Sequence, residues 1–269
     1  MIKFKICPFC KNKKFKKKFE YHKPIPREIK LKFKENYYRF YKNCIVCGHF
    51  FTEMQMNLNG LYNKTYVDNT YGDRLHETFK KIISLPKKKS DNYFRVKRIQ
   101  GIAKKLLKNK TKIKLLDIGS GLGVFPYQIK KIGWDCTAID PDKNSYKHMK
   151  YQLNINCKNI DFDKMDYKKK FNVVTLNKVL EHVRNPIKML KKIKHNLILE
   201  NSFFYIEVPD ASEASKVNKF REEFGIDHLH VFTMHSLYKL IKRSKFTPIS
   251  IQRIKENSTK FTLIAIGKI

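Results

Sequence analysis

The sequence contains no long hydrophobic run. No segment approaches the roughly 20 consecutive apolar residues that a membrane-spanning helix needs, and the opening MIKFKICPFCKNKKFKKKFE lacks the apolar stretch of a secretion signal. A chain of 269 residues, 42% of them hydrophobic, nevertheless has enough apolar side chains for a core of ordinary size. We therefore expect a folded, cytoplasmic protein with no membrane span.

Acidic residues are scarce, and so is arginine among the basic residues. The chain has 24 Asp and Glu against 58 Lys and Arg, a formal net charge of +34, and only 9 of the 58 are Arg. A nucleic-acid partner is one interpretation, because clustered cations release counterions from phosphates. The lysines are dispersed, however, and phosphate recognition prefers the Arg fork. A solvated basic surface, of the kind an AT-rich genome encodes, is favoured, with RNA or an anionic substrate as the second interpretation.

Four of the six cysteines form two Cys-x-x-Cys pairs. Cys7 and Cys10 lie in CPFC, Cys44 and Cys47 lie in CIVC, and 33 residues separate the pairs. Two such turns direct four thiolates at one tetrahedral Zn²⁺. Disulfides are the alternative, which a reducing compartment disfavours. A four-thiolate shell has no open position for substrate, so we expect a structural zinc ribbon over residues 1–60.

The remaining chain is predicted to be a linker followed by an α/β domain. Residues 61–110 combine a Tyr-rich linker or lid with two helical stretches, the second capped by Ser90 or Asp91. Within residues 111–269, the strand patterns IKLLDIG, DCTAID, FNVVTLN and SFFYIEVPD alternate with helices, one ended by Gly133 and one capped by Asn185. TPISIQRI and FTLIAIGK are expected to close the sheet as a pair. Such alternation predicts a parallel sheet with helices on both faces.

A glycine-rich loop, LLDIGSGLGVF, follows the first of these strands. A strand, a glycine turn and a helix direct backbone N–H groups and a positive helix end at one point, which suits a nucleotide. Gly119, Gly121 and Gly123 depart from the dinucleotide pattern G-x-G-x-x-G, because the third glycine comes one residue early. Asp117 would repel a pyrophosphate and attract a cation. S-adenosylmethionine carries an ammonium and a sulfonium there, so the loop favours that cofactor over NAD.

Two further carboxylates come at strand ends. Asp140 ends the second strand, 17 residues after Gly123, where a carboxylate accepts hydrogen bonds from ribose hydroxyls. Asp161, in NIDF after a third strand, is placed for the adenine amino group, and its alternative role is merely to end the strand. Arg95 or Arg98 would reach the cofactor's carboxylate, although solvated helix arginines are the commoner case. Three carboxylates on successive strand ends indicate a site more strongly than any one of them.

With these motifs, residues 90–269 resemble the class I S-adenosylmethionine-dependent methyltransferases. LLDIGSGLGVF is similar to the family's first motif, AID to its ribose-binding acid and FNVVTLNKVLEHVRNP to its fourth-strand motif. FYIEVPD and DHLHVFTMHSLYKLIKRSKF are similar to a subgroup found with sugar and polysaccharide biosynthesis, which often carries an N-terminal zinc ribbon and a Tyr-rich linker. The resemblance implies a Rossmann-like seven-stranded sheet beside a small ribbon domain. It also implies a cofactor site formed by Asp117, Gly119, Ser120, Gly121, Gly123, Asp140, Pro141, Asp161, Phe162, Asn177 and Arg95.

The acceptor is expected near VLEHV, after the fourth strand. Methyl transfer from a sulfonium is an in-line displacement, which needs a base only if the acceptor carries a proton. His182, beside Glu181, is the candidate base. The matching pair is implicated in catalysis in the sugar C-methyltransferases that the chain resembles, while packing beside the cofactor is the alternative role. Further candidates for the acceptor pocket or its lid are His228, His230, Tyr66 and Tyr71.

His228 and His230, in DHLHVFT, are spaced so that both face one side of an extended segment. Together with Asp227 they form a conceivable second metal site. Two histidines in a loop are more often hydrogen-bonded loop residues, which is the favoured interpretation.

One principal hypothesis and two others follow. The principal one is an S-adenosylmethionine-dependent methyltransferase that acts on an oxygen, nitrogen or carbon atom of a small molecule or glycan. The second is an RNA methyltransferase, because some ribosomal-RNA guanine methyltransferases combine an N-terminal zinc ribbon with this core; the lysine excess favours it and LEHV disfavours it. The third is a non-catalytic zinc-ribbon adaptor.

Overall fold

The computed structural model describes residues 4–26, 28, 36–54, 56, 74–108, 110–165, 169–196 and 198–269. No helix in these ranges is both long and apolar enough to cross a membrane. The strands are β1 (Phe15–Tyr21), β2 (Arg39–Cys44), β3 (Phe50–Met54), β4 (Lys114–Ile118), β5 (Asp135–Asp140), β6 (Cys157–Asn159), β7 (Phe171–Asn177), β8 (Ile198–Pro209), β9 (His230–Val231), β10 (Thr247–Lys255) and β11 (Phe261–Lys268). The helices are α1 (Leu75–Ile83), α2 (Asp91–Leu106), α3 (Val124–Lys131), α4 (Lys143–Lys147), α5 (Pro186–Asn196), α6 (Ala211–Val217) and α7 (Met234–Arg243).

Seven strands form the central sheet in the order β6-β5-β4-β7-β8-β11-β10. Strands β4 to β8 pair with one another in parallel, whereas β11 runs antiparallel to both β8 and β10. The six residues from Phe171 to Leu176 of β7 are all buried, as expected for a strand covered by helices on both faces. The predicted α/β fold with a mostly parallel seven-stranded sheet is confirmed.

Three helix ends, the starts of α2 and α5 and the end of α3, fall at the residues predicted from the sequence. The N–H of Tyr93 donates to Oγ of Ser90 at 3.2 Å, so Ser90 caps α2. The N–H of Lys188 donates to Oδ1 of Asn185 at 3.0 Å at the start of α5. Gly133, with φ of 84°, follows α3 and lets the chain turn into β5.

Strand order places a crevice at one edge of the sheet. β4 pairs with β5 on one side and with β7 on the other, so the chain changes direction across the sheet at β4. The carboxyl ends of these parallel strands lie at the same edge, and a switch of this kind opens the usual ligand crevice of an open α/β sheet. The glycine loop and VLEHV both follow strands at this edge.

The N-terminal strands belong to a second sheet, ordered β1-β2-β3-β9. Its last strand comes from the α/β half of the chain: Phe50 pairs with Val231 and Phe51 pairs with His230. Phe51 and Phe232 pack in the same hydrophobic cluster as the central strands. The cysteine-rich segment is therefore joined to the α/β domain by main-chain hydrogen bonds as well as by packing.

Candidate active site

The glycine loop between β4 and α3 depends on glycine at each of its three glycine positions. Gly119, Gly121 and Gly123 have φ values of 72°, 50° and 75°, a region that strains any other residue. A Cβ at Gly119 would lie 2.7 Å from Cγ2 of Val179, and one at Gly123 would lie 2.7 Å from Cγ of Met149. The loop therefore brings bare backbone to the strand edge, as a ligand needs for close approach.

Asp117 is buried at the end of β4, beneath this loop. Its Oδ1 accepts hydrogen bonds from Oγ1 of Thr175 at 2.7 Å and from Nδ2 of Asn177 at 3.0 Å, both on β7. Its main-chain carbonyl accepts from Oγ of Ser120 at 3.1 Å. Burial raises the pKa of Asp117 to about 6. Thr175 was not singled out from the sequence, because only strand pairing brings it to Asp117.

Asp140 joins the end of β5 to the glycine loop. Its Oδ2 accepts from the N–H of Gly121 at 2.8 Å, and its Oδ1 accepts from the N–H of Asp142 at 2.8 Å. Burial raises the pKa of Asp140 to about 6. Because each carboxylate oxygen can accept two hydrogen bonds, each retains one acceptor position for a ribose hydroxyl.

The described residues fit S-adenosylmethionine. Gly119, Gly121 and Gly123 form a glycine cradle between Asp117 and Asp140. These two carboxylates suit a cationic end and a ribose. Pro141 follows Asp140 directly. Asp161 is exposed and accepts from the N–H of Asp163 at 2.9 Å, and the ring of Phe162 beside it is buried. The predicted cofactor residues of β4, β5 and the segment after β6 therefore lie at the same sheet edge.

Arg95 lies in a different environment from the one expected. Its guanidinium donates from Nε and Nη2 to Oε2 of Glu207 at 2.8 and 2.6 Å, at the end of β8. Arg98 and Tyr205 also bind Glu207 through its other oxygen, Oε1. Burial alone would raise the pKa of Glu207, but the attraction of Arg95 outweighs it and lowers that pKa. Arg95 is thus engaged by an acid that the sequence analysis did not single out.

Glu181 follows β7 at the same edge of the sheet as the glycine loop and is fully buried. Neither of its carboxylate oxygens has a hydrogen-bond partner among the described residues. Its main-chain carbonyl accepts from the N–H groups of Leu229 and His230, at 2.8 and 3.1 Å. The VLEHV turn is therefore attached to the segment that contains His228 and leads into β9.

His182 and His228 come together beside Glu181. Their ring centroids are 5.0 Å apart, and a ligand atom from each of the three side chains lies within 4.8 Å of the others. Nδ1 of His182 lies 2.9 Å from the carbonyl of Asp227, and Nδ1 of His228 lies 2.8 Å from the carbonyl of Glu223. A carbonyl only accepts, so Nδ1 of each ring carries the proton and Nε2 carries the lone pair.

His230 is not part of this group. It is buried among Phe9, Phe51 and Phe232, and its Nδ1 lies 3.0 Å from Nε2 of His49. The structure therefore separates His228 from His230, contrary to the expectation that both face one side. Tyr66 and Tyr71, the lid candidates, lie outside the described residues.

The four predicted metal ligands converge. Sγ of Cys7 lies 3.6 Å from Sγ of Cys47, and Sγ of Cys10 lies 3.5 Å from Sγ of Cys44. All four sulfurs lie within 4.8 Å of one another. Thiolates bound tetrahedrally to Zn²⁺ at 2.3 Å would be about 3.8 Å apart, so the donor set fits that ion closely.

Comparison with known proteins agrees with the fold. A family model described as "Methyltransferase domain" matches residues 92–251. The Ribosomal RNA small subunit methyltransferase A of Wigglesworthia glossinidia brevipalpis is 30% identical over 125 residues, 45% of this chain and 44% of that protein. The Ubiquinone biosynthesis O-methyltransferase of Pelagibacter ubique (strain HTCC1062) is 30% identical over 152 residues, 54% of this chain and 61% of that protein. The chain thus spans about half the length of these curated relatives.

A solved structure shares the fold. The plantazolicin methyltransferase BpumL, in complex with SAH, superposes with a TM-score of 0.54 and 17% identity. The match covers 73% of this chain and 90% of that chain. At this identity the likeness concerns the fold of the central sheet and its helices.

Proposed function

Since the chain belongs to the S-adenosylmethionine-dependent methyltransferases, we propose that it methylates an oxygen or nitrogen atom of a small organic acceptor, with glycans among the candidates. One observation carries the proposal. The glycine cradle with Asp117 and Asp140 lies at the same sheet edge as Glu181, His182 and His228, one strand away. A donor site and an acceptor site are thereby adjacent.

The cofactor, when bound, supplies a methyl group on a positively charged sulfur. Asp140 would hold the ribose hydroxyls, while Asp117 favours the cationic end and the glycine backbone permits close approach. Alignment of donor and acceptor then provides most of the acceleration, because the displacement is in-line. With no metal bound, Nε2 of His182 would take the proton of a hydroxyl or ammonium acceptor, and the hydrogen bond from Nδ1 to the carbonyl of Asp227 would hold the ring in place.

An oxygen acceptor is supported by the 30% identical relative that is named an O-methyltransferase. RNA is the second candidate, supported by the ribosomal RNA methyltransferase relative and by the lysine excess. The position of one lysine cluster disfavours it. Lysines 110, 112, 114, 169 and 170 line a cavity at the amino ends of β4, β5 and β7, the sheet edge opposite the glycine loop. RNA bound there would lie far from the methyl donor.

We also propose that the cysteine cluster binds a structural Zn²⁺. The sulfur separations and the closed four-thiolate set support this assignment. The ion would hold the two knuckles together and so support the sheet that ends in β9.

Calorimetric titration of the full chain with S-adenosylmethionine tests the proposal. We expect 1:1 binding, weakened about 10- to 100-fold by Asp140→Asn, because charged hydrogen bonds contribute about 1.5–3 kcal/mol each. Asp135→Asn, at the opposite end of the same strand, is the matched control and should leave the affinity unchanged. Absence of binding, or equal affinity for Asp140→Asn and the unchanged protein, would refute it. RNA retention that weakens steeply with salt, with methyl transfer to that RNA, would favour the second candidate.

A further inference from the structure

We propose that Glu181, His182 and His228 bind a divalent transition-metal ion at the acceptor side of the crevice. The site is separate from the four-cysteine cluster. Its catalytic consequence rests on the proposed methyl transfer, whereas its existence as a metal site does not. The ligand set of one carboxylate and two imidazoles suits Zn²⁺, Fe²⁺ or Mn²⁺ better than Mg²⁺, which prefers all-oxygen ligands.

The first argument is the state of Glu181. Its side chain is fully buried, and both carboxylate oxygens lack a hydrogen-bond partner among the described residues. A carboxylate removed from water without compensation is costly, so buried acids are normally paired or coordinate a metal. A ring nitrogen of His182 and one of His228 each lie within 4.8 Å of a carboxylate oxygen of Glu181. A cation shared by the three groups would remove the penalty.

The second argument is the orientation of the two imidazoles. Each ring directs its Nδ1 proton to a main-chain carbonyl, Asp227 for His182 and Glu223 for His228. Such a hydrogen bond is the usual accompaniment of a metal-bound histidine, because it fixes the tautomer and raises the basicity of Nε2. Asp227 adds a second carboxylate nearby, with its Oδ2 3.7 Å from Nδ1 of His182. The local charge therefore favours a cation.

The third argument is distance. The three ligand atoms lie within 4.8 Å of one another. Ligands bound at about 2.1 Å to one ion lie roughly 3.4–4.2 Å apart, so the side chains need to adjust by only about an ångström. Three protein ligands leave coordination positions open, as a catalytic rather than a structural site requires.

The open position assigns a substrate class, namely acceptors with an ionisable hydroxyl. The acceptor oxygen would bind the ion, and its O–H bond would break with the proton released to solvent water. That oxygen would then form the new O–CH₃ bond as the C–S⁺ bond breaks, and the sulfur would leave as a neutral thioether. The ion and the acceptor proton compete for Nε2 of His182. In the metal-bound protein, therefore, solvent water rather than the imidazole takes the acceptor proton.

Manganese titration tests the site. The full chain is supplied with one equivalent of Zn²⁺ for the thiolates, and free Mn²⁺ is then followed by electron paramagnetic resonance. We expect one Mn²⁺ per chain, with affinity weakened at least tenfold by His228→Gln and by Glu181→Gln. His235→Gln, an exposed histidine on α7, is the matched control and should bind as the unchanged protein does.

The outcomes separate the two proposals. A Mn²⁺ dissociation constant weaker than about 1 mM, or unchanged binding by His228→Gln, would overturn the metal site. S-adenosylmethionine titration of the same samples reports on folding and on the donor site. Retained cofactor binding without Mn²⁺ binding refutes only the metal site, and Mn²⁺ binding without cofactor binding refutes only the proposed function.

Discussion

Nε2 of His49 lies 3.0 Å from Nδ1 of His230, and both rings are fully buried. His49 follows the second cysteine knuckle, and His230 begins β9. Burial lowers the pKa of His230 to about 4 and that of His49 well below its usual value, so the pair is neutral at pH 7. The N–H of His230 also donates to the carbonyl of Glu181. Hydrogen bonds therefore connect the cysteine-rich segment to the VLEHV turn after β7.

Loss of this contact should destabilise the protein and loosen β9. His49→Ala leaves a buried nitrogen of His230 unpaired, at a cost of about 1–3 kcal/mol in the free energy of unfolding. Urea unfolding measures that cost, and amide hydrogen exchange at Leu229 and His230 should become faster. His235→Ala, on the surface of α7, is the control. Unchanged exchange at these two amides would mean that the histidine pair does not hold β9 in place.

Removal of one zinc ligand should abolish metal binding by the cysteine cluster. Cys44→Ser is expected to reduce the zinc content from one ion per chain to nearly none and to lower the thermal midpoint, because the ion holds the two knuckles together. Elemental analysis and calorimetry measure both effects. Cys157→Ser, in which the changed thiol lies in β6, should keep its zinc. Full zinc content in Cys44→Ser would contradict the assignment.

The affinity for S-adenosylmethionine should rise with pH and level off above about pH 6. Burial raises the pKa of Asp117 and of Asp140 to about 6, so the free protein holds these protons below that pH. Asp117 must release its proton to attract the cationic end, and Asp140 must release its own to accept from the ribose hydroxyls as a carboxylate. At pH 5 the dissociation constant should be about 10-fold weaker than at pH 7 for one such carboxylate and about 100-fold weaker for two.

Calorimetric titrations between pH 5 and pH 8 measure this profile. Asp140→Asn should reduce by one the number of protons that are released when the cofactor binds at low pH. The folding stability of the free protein depends on pH in the opposite direction to the cofactor affinity. A pKa raised by folding contributes stability that is present at low pH and is lost as the pH rises through about 6. A cofactor affinity independent of pH in a protein that stays folded would disprove the assigned roles.

Glycine at position 119 should be required for cofactor binding. Gly119→Ala would hold an alanine at φ of 72° and place its Cβ 2.7 Å from Cγ2 of Val179. The resulting strain is about 1–3 kcal/mol. We expect at least a tenfold loss of affinity for S-adenosylmethionine in calorimetric titration. Gly101→Ala, in α2 with open space around the new methyl, should bind normally and be up to about 1 kcal/mol more stable. Equal affinities for the two variants would argue against the cradle.

The sequence by itself determined the secondary-structure elements and the local turns between them. Strand patterns such as DCTAID, the caps Ser90 and Asn185 and the break at Gly133 are properties of contiguous residues, so they were predicted where the structure has them. The glycine loop and the Cys-x-x-Cys turns are equally local. Their spacing fixes the direction of N–H groups or thiols over a few residues, whatever the rest of the chain does.

Only the tertiary structure decided which distant side chains meet. His228 lies in a turn before β9, where strand alternation does not set its direction, so it joins His182 while His230 meets His49, 181 residues away. Arg95 is bound by Glu207 through the packing of α2 on β8. Such contacts depend on strand register and on how the two sheets are joined. Those are set by burial summed over the whole molecule, which no local pattern in the sequence records.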